Sequence, residues 1–238
     1  MDWIQYWFMF PVAIAVATCA ALSGIGGAAL FIPIFVILFP MLGPEYPLTT
    51  SAAIGSALLT MVFGFSSSFT GYYRKQLIDF GSSWQFIRVS VPIAVLGASL
   101  FGLVQQHDAL LKGAYAALML GLCLLVLRRS AAPPPSPGPD GAQDTRPMRT
   151  VVSRGGETYR FPAPRQGRTG AVFTAGGAFL TGFLGVGIGE VVLPQLIKRN
   201  RVPVPVAAAT SVFVVIVTIA SASFMQIWLL IEAGGLSA

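Results

Sequence analysis

Six long apolar stretches limit what this chain can fold into more than any other feature. They cover residues 6–42, 52–73, 84–104, 109–127, 171–197 and 206–231. A helix of about 20 residues crosses a hydrocarbon core of about 30 Å. Its backbone N–H and C=O groups bond to each other, because lipid offers them no hydrogen-bond partners. Only 10% of the residues are charged and the mean hydropathy is +0.74, which leaves too few charges to hydrate a soluble fold. The sequence therefore predicts an all-helical polytopic membrane protein with about six transmembrane segments.

Interruptions divide the chain into three parts. Residues 1–127 hold four predicted spans, residues 128–169 form a cytoplasmic linker rich in proline and arginine, and residues 170–238 hold two more spans. The first and fifth apolar stretches are too long for one simple crossing and contain glycine clusters followed by a proline. Because glycine and proline interrupt helices, we expect both stretches to be broken.

The linker has the composition of a solvated segment. Residues 131–167 contain PPPSPGPDG and many polar side chains, so we expect them to form no packed core of their own. One local exception is residues 150–161, where alternating residues around Gly155 and Gly156 predict a small β-hairpin. An isolated two-stranded hairpin is marginally stable in water.

The positions of the basic residues predict the orientation in the membrane. Eight arginines lie in the linker region: Arg128, Arg129, Arg146, Arg149, Arg154, Arg160, Arg165 and Arg168. In a six-span arrangement one side carries eleven basic residues, these eight included, and the other side carries four. The positive-inside rule then places the N-terminus and the linker in the cytoplasm. The run KRNR from Lys198 to Arg201 is left outside, and a fifth stretch that re-enters instead of crossing would bring it inside.

The first and fifth stretches resemble each other, which predicts an internal repeat. SGIGGAALFIP at residues 23–33 aligns with LGVGIGEVVLP at residues 184–194 at a constant offset of 161. The matched residues are Gly24, Gly26 and Pro33 in the first half and Gly185, Gly187 and Pro194 in the second. At an offset of 155 the next stretches also match, with seven identities in eighteen positions. Duplicated membrane halves with helices broken at matching places are typical of secondary transporters.

The repeated glycines predict a binding site for an anion. Glycine permits conformations that break a helix, and the helix that resumes presents unpaired amide groups and the positive end of its dipole. The residues predicted to bind the substrate are Ser23, Gly24, Gly26, Gly27, Ser56, Gly185, Gly187, Gly189 and Ser211. The alternative is that the glycines of these stretches only allow helices to pack closely. The glycines concerned are Gly24, Gly27, Gly176, Gly182, Gly185 and Gly189.

The serines after each glycine motif have two possible roles. Ser56 and Ser211 lie at matched positions, and their hydroxyl groups either donate a hydrogen bond to an oxyanion or bond back to the preceding helical turn. The serines further along these helices are expected to pack or to bond back; they are Ser66, Ser68, Ser221 and Ser223.

Glu190 is the only ionisable residue well inside a predicted span. An unpaired carboxylate in hydrocarbon is costly, so Glu190 is a candidate for carrying a coupled proton or for capping the broken helix. The alternative is that the irregular fifth stretch brings this carboxyl group close to the membrane interface.

The cysteine, histidine and serine residues of the sequence do not form a recognisable catalytic or metal-binding pattern. Cys19 and Cys123 lie in apolar runs without a second ligand at metal-binding spacing, so neither a disulfide nor a metal site is predicted. His107 lies in a short turn and is expected to be solvated. Ser23 and Gly24 resemble the neighbourhood of the nucleophile in intramembrane serine proteases, but the pattern is incomplete. The chain is therefore not predicted to be an enzyme, and no cofactor and no nucleic-acid partner is predicted.

The glycine motifs and the segments after them resemble the TauE/SafE family of bacterial membrane permeases, named for sulfite export. The resemblance rests on SGIGGAALFIP and TTSAAIGSALLT in the first half, and on LGVGIGEVVLP and AAATSVFVVIVT in the second. It implies a multi-pass permease of the bacterial cytoplasmic (inner) membrane for sulfite, sulfonates or related organic anions. Ala28 and Ile188 stand where the family usually has glycine. We expect the second half to be an incomplete repeat, truncated or completed by a second copy of the chain or by another partner.

The functional prediction is a secondary transporter that moves a small anion across the bilayer, in the export direction, without ATP. Two alternatives stay open at this point. In the first, the glycine repeats serve helix packing, and the protein does not transport or acts only within an assembly. In the second, the protein is a channel.

Overall fold

A computed structural model of the chain describes residues 9–23, 27–38, 41, 50–129, 147–186 and 188–232. The first helix, α1, spans Met9–Ser23. The second, α2, spans Gly27–Pro33 and continues as a π-helical turn over Ile34–Leu38. The N-terminal residues and the glycines Gly24, Gly26 and Gly187, about which the sequence makes predictions, lie outside the described residues.

Three long helices follow in the first half of the chain. They are α3 at Thr50–Arg74, α4 at Phe80–Val104 and α5 at Asp108–Arg129. Asp79 caps the start of α4, because its carboxylate accepts hydrogen bonds from the backbone N–H and the hydroxyl of Ser82. The backbone N–H of Asp79 donates in turn to the hydroxyl of Thr210, 3.2 Å away in the last helix of the chain.

The second part of the linker forms the predicted β-hairpin. Strand β1 at Met148–Val152 pairs antiparallel with β2 at Thr158–Pro162. Gly156 has a φ of 84° in the connecting turn, a conformation that glycine adopts without steric cost. The prediction of a small hairpin around Gly155 and Gly156 is therefore confirmed.

The hairpin, which is predicted as an exception within the solvated linker, is not isolated but docked on the helical part of the chain. The guanidinium group of Arg149 lies 2.5 Å from the carboxylate of Asp79. Phe161 is only 1% exposed, and the N–H of Arg154 donates to the carbonyl of Lys75. The alternation of β1 and β2 gives the hairpin one face to bury beside the connection between α3 and α4, where Lys75 and Asp79 lie. Burial of that face compensates for the marginal stability of an isolated hairpin.

The fifth apolar stretch folds back on itself. Helix α6 spans Arg168–Leu184, and α7 spans Ile188–Pro194 and continues as a π-helical turn over Gln195–Arg199. After this turn, the side-chain oxygen of Asn200 accepts the backbone N–H of Arg165 at 3.0 Å. Both ends of the stretch therefore lie at the linker end of the molecule.

This fold-back bears on the assignment of two spans to residues 170–238, because both ends of the fifth stretch lie at the linker end. It brings the KRNR run to the same end as the linker, as the re-entrant alternative for this stretch expects. The amide of Gln195 lies 3.4 Å from the hydroxyl of Thr174, which links the returning helix to α6. The reversal is possible because the helix breaks between Leu184 and Ile188.

The last helix, α8 at Val204–Glu232, packs with α6 against α4. The hydroxyl groups of Ser90 in α4 and Thr218 in α8 lie 2.7 Å apart in this contact. The contact between α4 and α6 is closer, because Gly97 and Gly182 have no side chains to separate the two backbones. A Cβ at Gly97 would lie 2.5 Å from the carbonyl oxygen of Phe179.

The first and fifth apolar stretches have matching elements among the described residues. In each, a helix that ends at Ser23 or Leu184 is followed along the chain by a seven-residue helix that ends in proline and by a five-residue π-helical turn. The ends of α1 and α6, both bounds of α2 and α7, and both bounds of the two turns are separated by 161 residues. This separation equals the offset between the two glycine motifs.

The described residues are predominantly helical, in agreement with the predicted class of all-α polytopic membrane protein. By length and apolar composition, three described helical segments are able to cross a membrane: Ala53–Arg74, Phe80–Val104 and Val204–Leu229. The apolar part of α5 is shorter and covers Ala109–Gly121.

Candidate functional site

The site is built around the break between α6 and α7. Helix α6 ends at Leu184, and Gly185 follows in the left-handed conformation with a φ of 80°. Its N–H donates to the carbonyl of Thr181 at 2.9 Å, which closes the last turn. A residue with a Cβ is strained at this φ, so the glycine at position 185 is needed to end α6 in this way.

Thr181 joins the two helices across the break. Its hydroxyl donates to the carbonyl of Gly177 at 2.9 Å and accepts the backbone N–H of Ile188 at 2.8 Å. The side chain is 1% exposed. One hydroxyl therefore replaces a hydrogen bond that the interrupted helix has lost, and it satisfies the first N–H of α7 in a buried place.

Gln226 of α8 provides a hydrogen-bond partner for a backbone carbonyl at the end of α6, on the other side of the break. Its side-chain amide donates to the carbonyl of Gly182 at 3.1 Å, and the residue is 6% exposed. Gly182 lies in the last turn of α6, where carbonyl groups have no partner within the helix. The amide thus holds the end of α6 against α8.

Neither Thr181 nor Gln226 was singled out from the sequence. A threonine one turn before a glycine and a lone amide in an apolar helix are weak signals by themselves. Their role can be assigned only from the hydrogen bonds that they form across the helix break and between helices.

Glu190 lies in the first turn of α7 and is half-buried. A carboxylate near a helix N-terminus interacts favourably with the helix dipole. Glu190 also lines a small cavity enclosed by α3, α6, α7 and α8, together with Thr181, Gly185 and Val215. This position is inside the helix bundle, at the level of the break.

The cavity is narrow and largely apolar. It has room for about one water molecule, which is less than a sulfur atom with its oxygens occupies. Apart from Thr181 and Glu190, the side chains around it are apolar, such as Met61 and Phe65 from α3. The cavity is therefore too small for an anion of that size, and it would have to widen to admit one.

The structure brings some of the predicted site residues together and separates others. Gly185, Gly189 and Glu190 all line the cavity. Ser211 is buried, but its hydroxyl bonds back to the carbonyl of Ala208 at 2.9 Å, as the alternative interpretation expects. It lies beside Thr210 near the linker end of α8 and does not line the cavity.

The remaining predicted residues lie in the first half of the chain. Ser56 is exposed on the surface of α3. Ser23 is the last residue of α1 and Gly27 the first of α2, so they flank residues 24–26. Gly24, Gly26 and Gly187 lie outside the described residues.

Close helix packing explains why glycine is needed at some positions of α6 but not at others. A Cβ at Gly182 would overlap the carbonyl oxygen of Ala94 and lie 2.9 Å from the backbone nitrogen of Ala98. At Gly176, in the same helix, a Cβ would meet nothing within 4 Å. The packing interpretation is thus correct for Gly182, whereas Gly185 is required by its backbone conformation.

Basic side chains surround the linker end of the folded-back segment. Five are exposed and have no ion-pair partner among the described residues: Arg165, Arg168, Lys198, Arg199 and Arg201. The guanidinium group of Arg199 lies beside Gly167 and Gly170, across the start of α6. Unpaired cations in such a group produce a positive potential that attracts anions.

His107 is exposed in the loop between α4 and α5, as predicted. Its backbone carbonyl accepts hydrogen bonds from the N–H groups of Leu110 and Leu111, so the residue has a local role at the start of α5.

Comparisons with known proteins identify relatives of this chain. A model of the family described as sulfite exporter TauE/SafE matches residues 9–237. A curated relative, the probable membrane transporter protein YunE of Bacillus subtilis (strain 168), is 24% identical over 194 residues. That alignment covers 82% of this chain and 68% of the relative. No solved structure matches the chain.

Proposed function

The chain belongs to the TauE/SafE sulfite exporter family, and from this premise we propose that it is a secondary transporter that exports sulfite, a sulfonate or a related organic anion across the cytoplasmic membrane. The family and the relative described as a probable membrane transporter establish a membrane transporter or permease. The substrate, the direction and the residues that bind the anion are the further content of the proposal.

The observation that carries the proposal is the broken helix pair α6–α7, which folds back inside the bundle. Interrupted backbone at membrane depth is tolerated where it faces protein or a watery cavity. Thr181 and Gln226 satisfy two backbone groups that the break leaves unpaired. Secondary transporters place substrate sites at such discontinuous helices.

The first half of the chain is proposed to contribute a matching part of the site. The constant separation of 161 residues between the elements of the two stretches supports a repeat. Residues 23–27 would then face the anion as residues 184–189 do.

The charge distribution supports an anionic substrate and a cytoplasmic linker. Once the fold-back is taken into account, Lys112 at the start of α5 is the only basic residue of the sequence assigned to the side opposite the linker. The positive-inside rule places the linker side in the cytoplasm. Anions in the cytoplasm would therefore meet the five unpaired cations at the entrance of the folded-back segment.

Export follows from the membrane potential. With the interior about 100 mV negative, each elementary charge contributes about 2.3 kcal/mol. The potential alone then favours export of a monovalent anion about fiftyfold, and of a dianion more than about a thousandfold. Export therefore needs no coupling ion, whereas import needs one, and in that case Glu190 is the candidate to carry a proton.

Transport by purified protein in proteoliposomes tests the proposal. Radiolabelled sulfite should move in a saturable manner when a potential is imposed, and its flux should increase with the potential. A packing protein without transport activity would leave the vesicles impermeable, and a channel would give flux that does not saturate. Either result would refute a carrier for sulfite.

Substitution of Glu190 by glutamine tests the proton role. Glu190→Gln keeps the size of the side chain but removes the group that binds and releases a proton. If Glu190 couples proton movement to anion movement, the variant should lose the pH dependence of transport and keep the response to the potential. Glu157→Gln, in the exposed turn of the hairpin, is the matched control. An unchanged pH dependence in Glu190→Gln excludes the coupling role.

A further inference from the structure

Most serines in the long helices use their hydroxyl groups within the helix. The hydroxyl of Ser66 donates to the carbonyl of Val62 at 2.6 Å, and that of Ser221 donates to the carbonyl of Val217 at 2.8 Å. The hydroxyl of Ser68 does the same at 3.2 Å. The predicted back-bonding is confirmed for these three residues.

Ser223 differs from them. Its hydroxyl oxygen is buried and has no hydrogen-bond partner among the described residues, and the residue is only 7% exposed. Every helical serine has a carbonyl of the preceding turn within reach, so this hydroxyl is oriented away from an available partner. A buried polar group without a partner costs desolvation free energy. Such groups are few in native proteins, and each one requires an explanation.

Ser223 lies on the face of α8 that lines the cavity. Residues four apart are neighbours on one face of a helix, and Val215, Ile219 and Ser223 follow this spacing. Val215 and Ile219 both line the cavity with Glu190. Ser223 is about 6 Å further along the helix axis than Ile219. The next polar residue, Gln226, already contacts the end of α6.

The direction of α8 places Ser223 beyond the cavity. The helix begins next to the linker, where Asn200 contacts Arg165, and it runs towards the opposite end of the molecule. For an anion that enters past the basic residues and reaches Glu190, the face of α8 beyond Ile219 offers a route towards the other side. Ser223 is the first polar side chain that this face offers after the cavity.

We propose that Ser223 is a second contact for the transported anion, and that its hydroxyl donates a hydrogen bond to an oxygen of the anion after it leaves the Glu190 cavity. This inference rests on the proposed function and extends the site to a residue outside the glycine motifs. The ligand is an oxyanion, of the sulfite, sulfonate or carboxylate class, because a hydroxyl donor serves an anionic oxygen.

Substitution of Ser223 by alanine tests the contact. Because the hydroxyl has no partner in the protein, Ser223→Ala should keep or raise the melting temperature of the protein in detergent. In proteoliposomes the apparent KM for radiolabelled sulfite should increase about tenfold or more, which corresponds to one lost hydrogen bond to a charged group. Ser223→Thr retains a hydroxyl and should restore most of the affinity. Ser221→Ala, two residues away, removes a back-bonding hydroxyl and should leave the KM for sulfite unchanged.

The outcomes separate this inference from the proposed function. A wild-type KM in Ser223→Ala overturns the contact, while the transporter assignment stands. A lower melting temperature with a loss of transport that Ser223→Thr does not restore shows a structural role, and also overturns it. If the wild-type protein neither moves sulfite nor is stabilised by it, the proposed function fails, and the role of Ser223 fails with it.

Discussion

The close contact between α4 and α6 makes Gly182 the most sensitive glycine of the described helices. In Gly182→Ala, the new Cβ would lie 2.8 Å from the carbonyl carbon of Ala94 and 2.9 Å from the nitrogen of Ala98. Non-bonded carbon atoms prefer about 3.5–4.0 Å, so the two helices must separate by on the order of 1 Å. The obstacle is backbone on both sides, which no side-chain rotation relieves. Overpacking of this kind costs about 1–3 kcal/mol.

Gly176→Ala is the matched control for this substitution. It lies in the same helix, and its new Cβ would meet nothing within 4 Å. Both substitutions gain the same helix propensity, about 1 kcal/mol, so their difference isolates the packing cost.

Unfolding of the purified variants in a graded mixture of mild and denaturing detergent measures this difference. We expect Gly182→Ala to be less stable than Gly176→Ala by about 1–3 kcal/mol. Equal free energies of unfolding would show that α4 and α6 are not in backbone contact at this point.

Three further predictions concern the break, the hairpin and the topology. Thr181→Val leaves the buried N–H of Ile188 without its acceptor and should lower the free energy of unfolding by about 1–3 kcal/mol. Thr181→Ser keeps the hydroxyl group and should leave the free energy of unfolding unchanged. Equal stability of the two variants contradicts the bridging role of Thr181. Arg149→Ala removes the ion pair with the Asp79 carboxylate, and because the Arg149 side chain is 41% exposed the loss of stability should be about 1 kcal/mol. Trypsin should then cut the hairpin several-fold faster, and unchanged protection would show that the ion pair does not hold the hairpin. In oriented vesicles, an impermeant maleimide added on the linker side should label Lys198→Cys, and the same reagent added on the opposite side should label Lys112→Cys. Labelling of both variants from one side would refute the fold-back.

The sequence predicted the class of protein and the places where its helices break. Apolar runs long enough for a bilayer, with few charges, leave a helical membrane protein as the solution, because lipid offers no partners to the backbone. The glycine motifs marked the break after Leu184, since glycine at a positive φ is a property of one residue and its neighbours. The alternation around Gly155 and Gly156 predicted the hairpin for the same local reason.

Contacts between distant residues were decided by the tertiary structure. Gln226 and Gly182 are 44 residues apart, and Arg149 and Asp79 are 70 apart. No local pattern specifies such pairs, because each side chain is compatible with many surroundings until the helices pack. The fold-back of α6 and α7 and the orphan hydroxyl of Ser223 belong to the same group. Composition and periodicity determine which segments leave water, whereas the partners of the remaining polar groups depend on how those segments are arranged against one another.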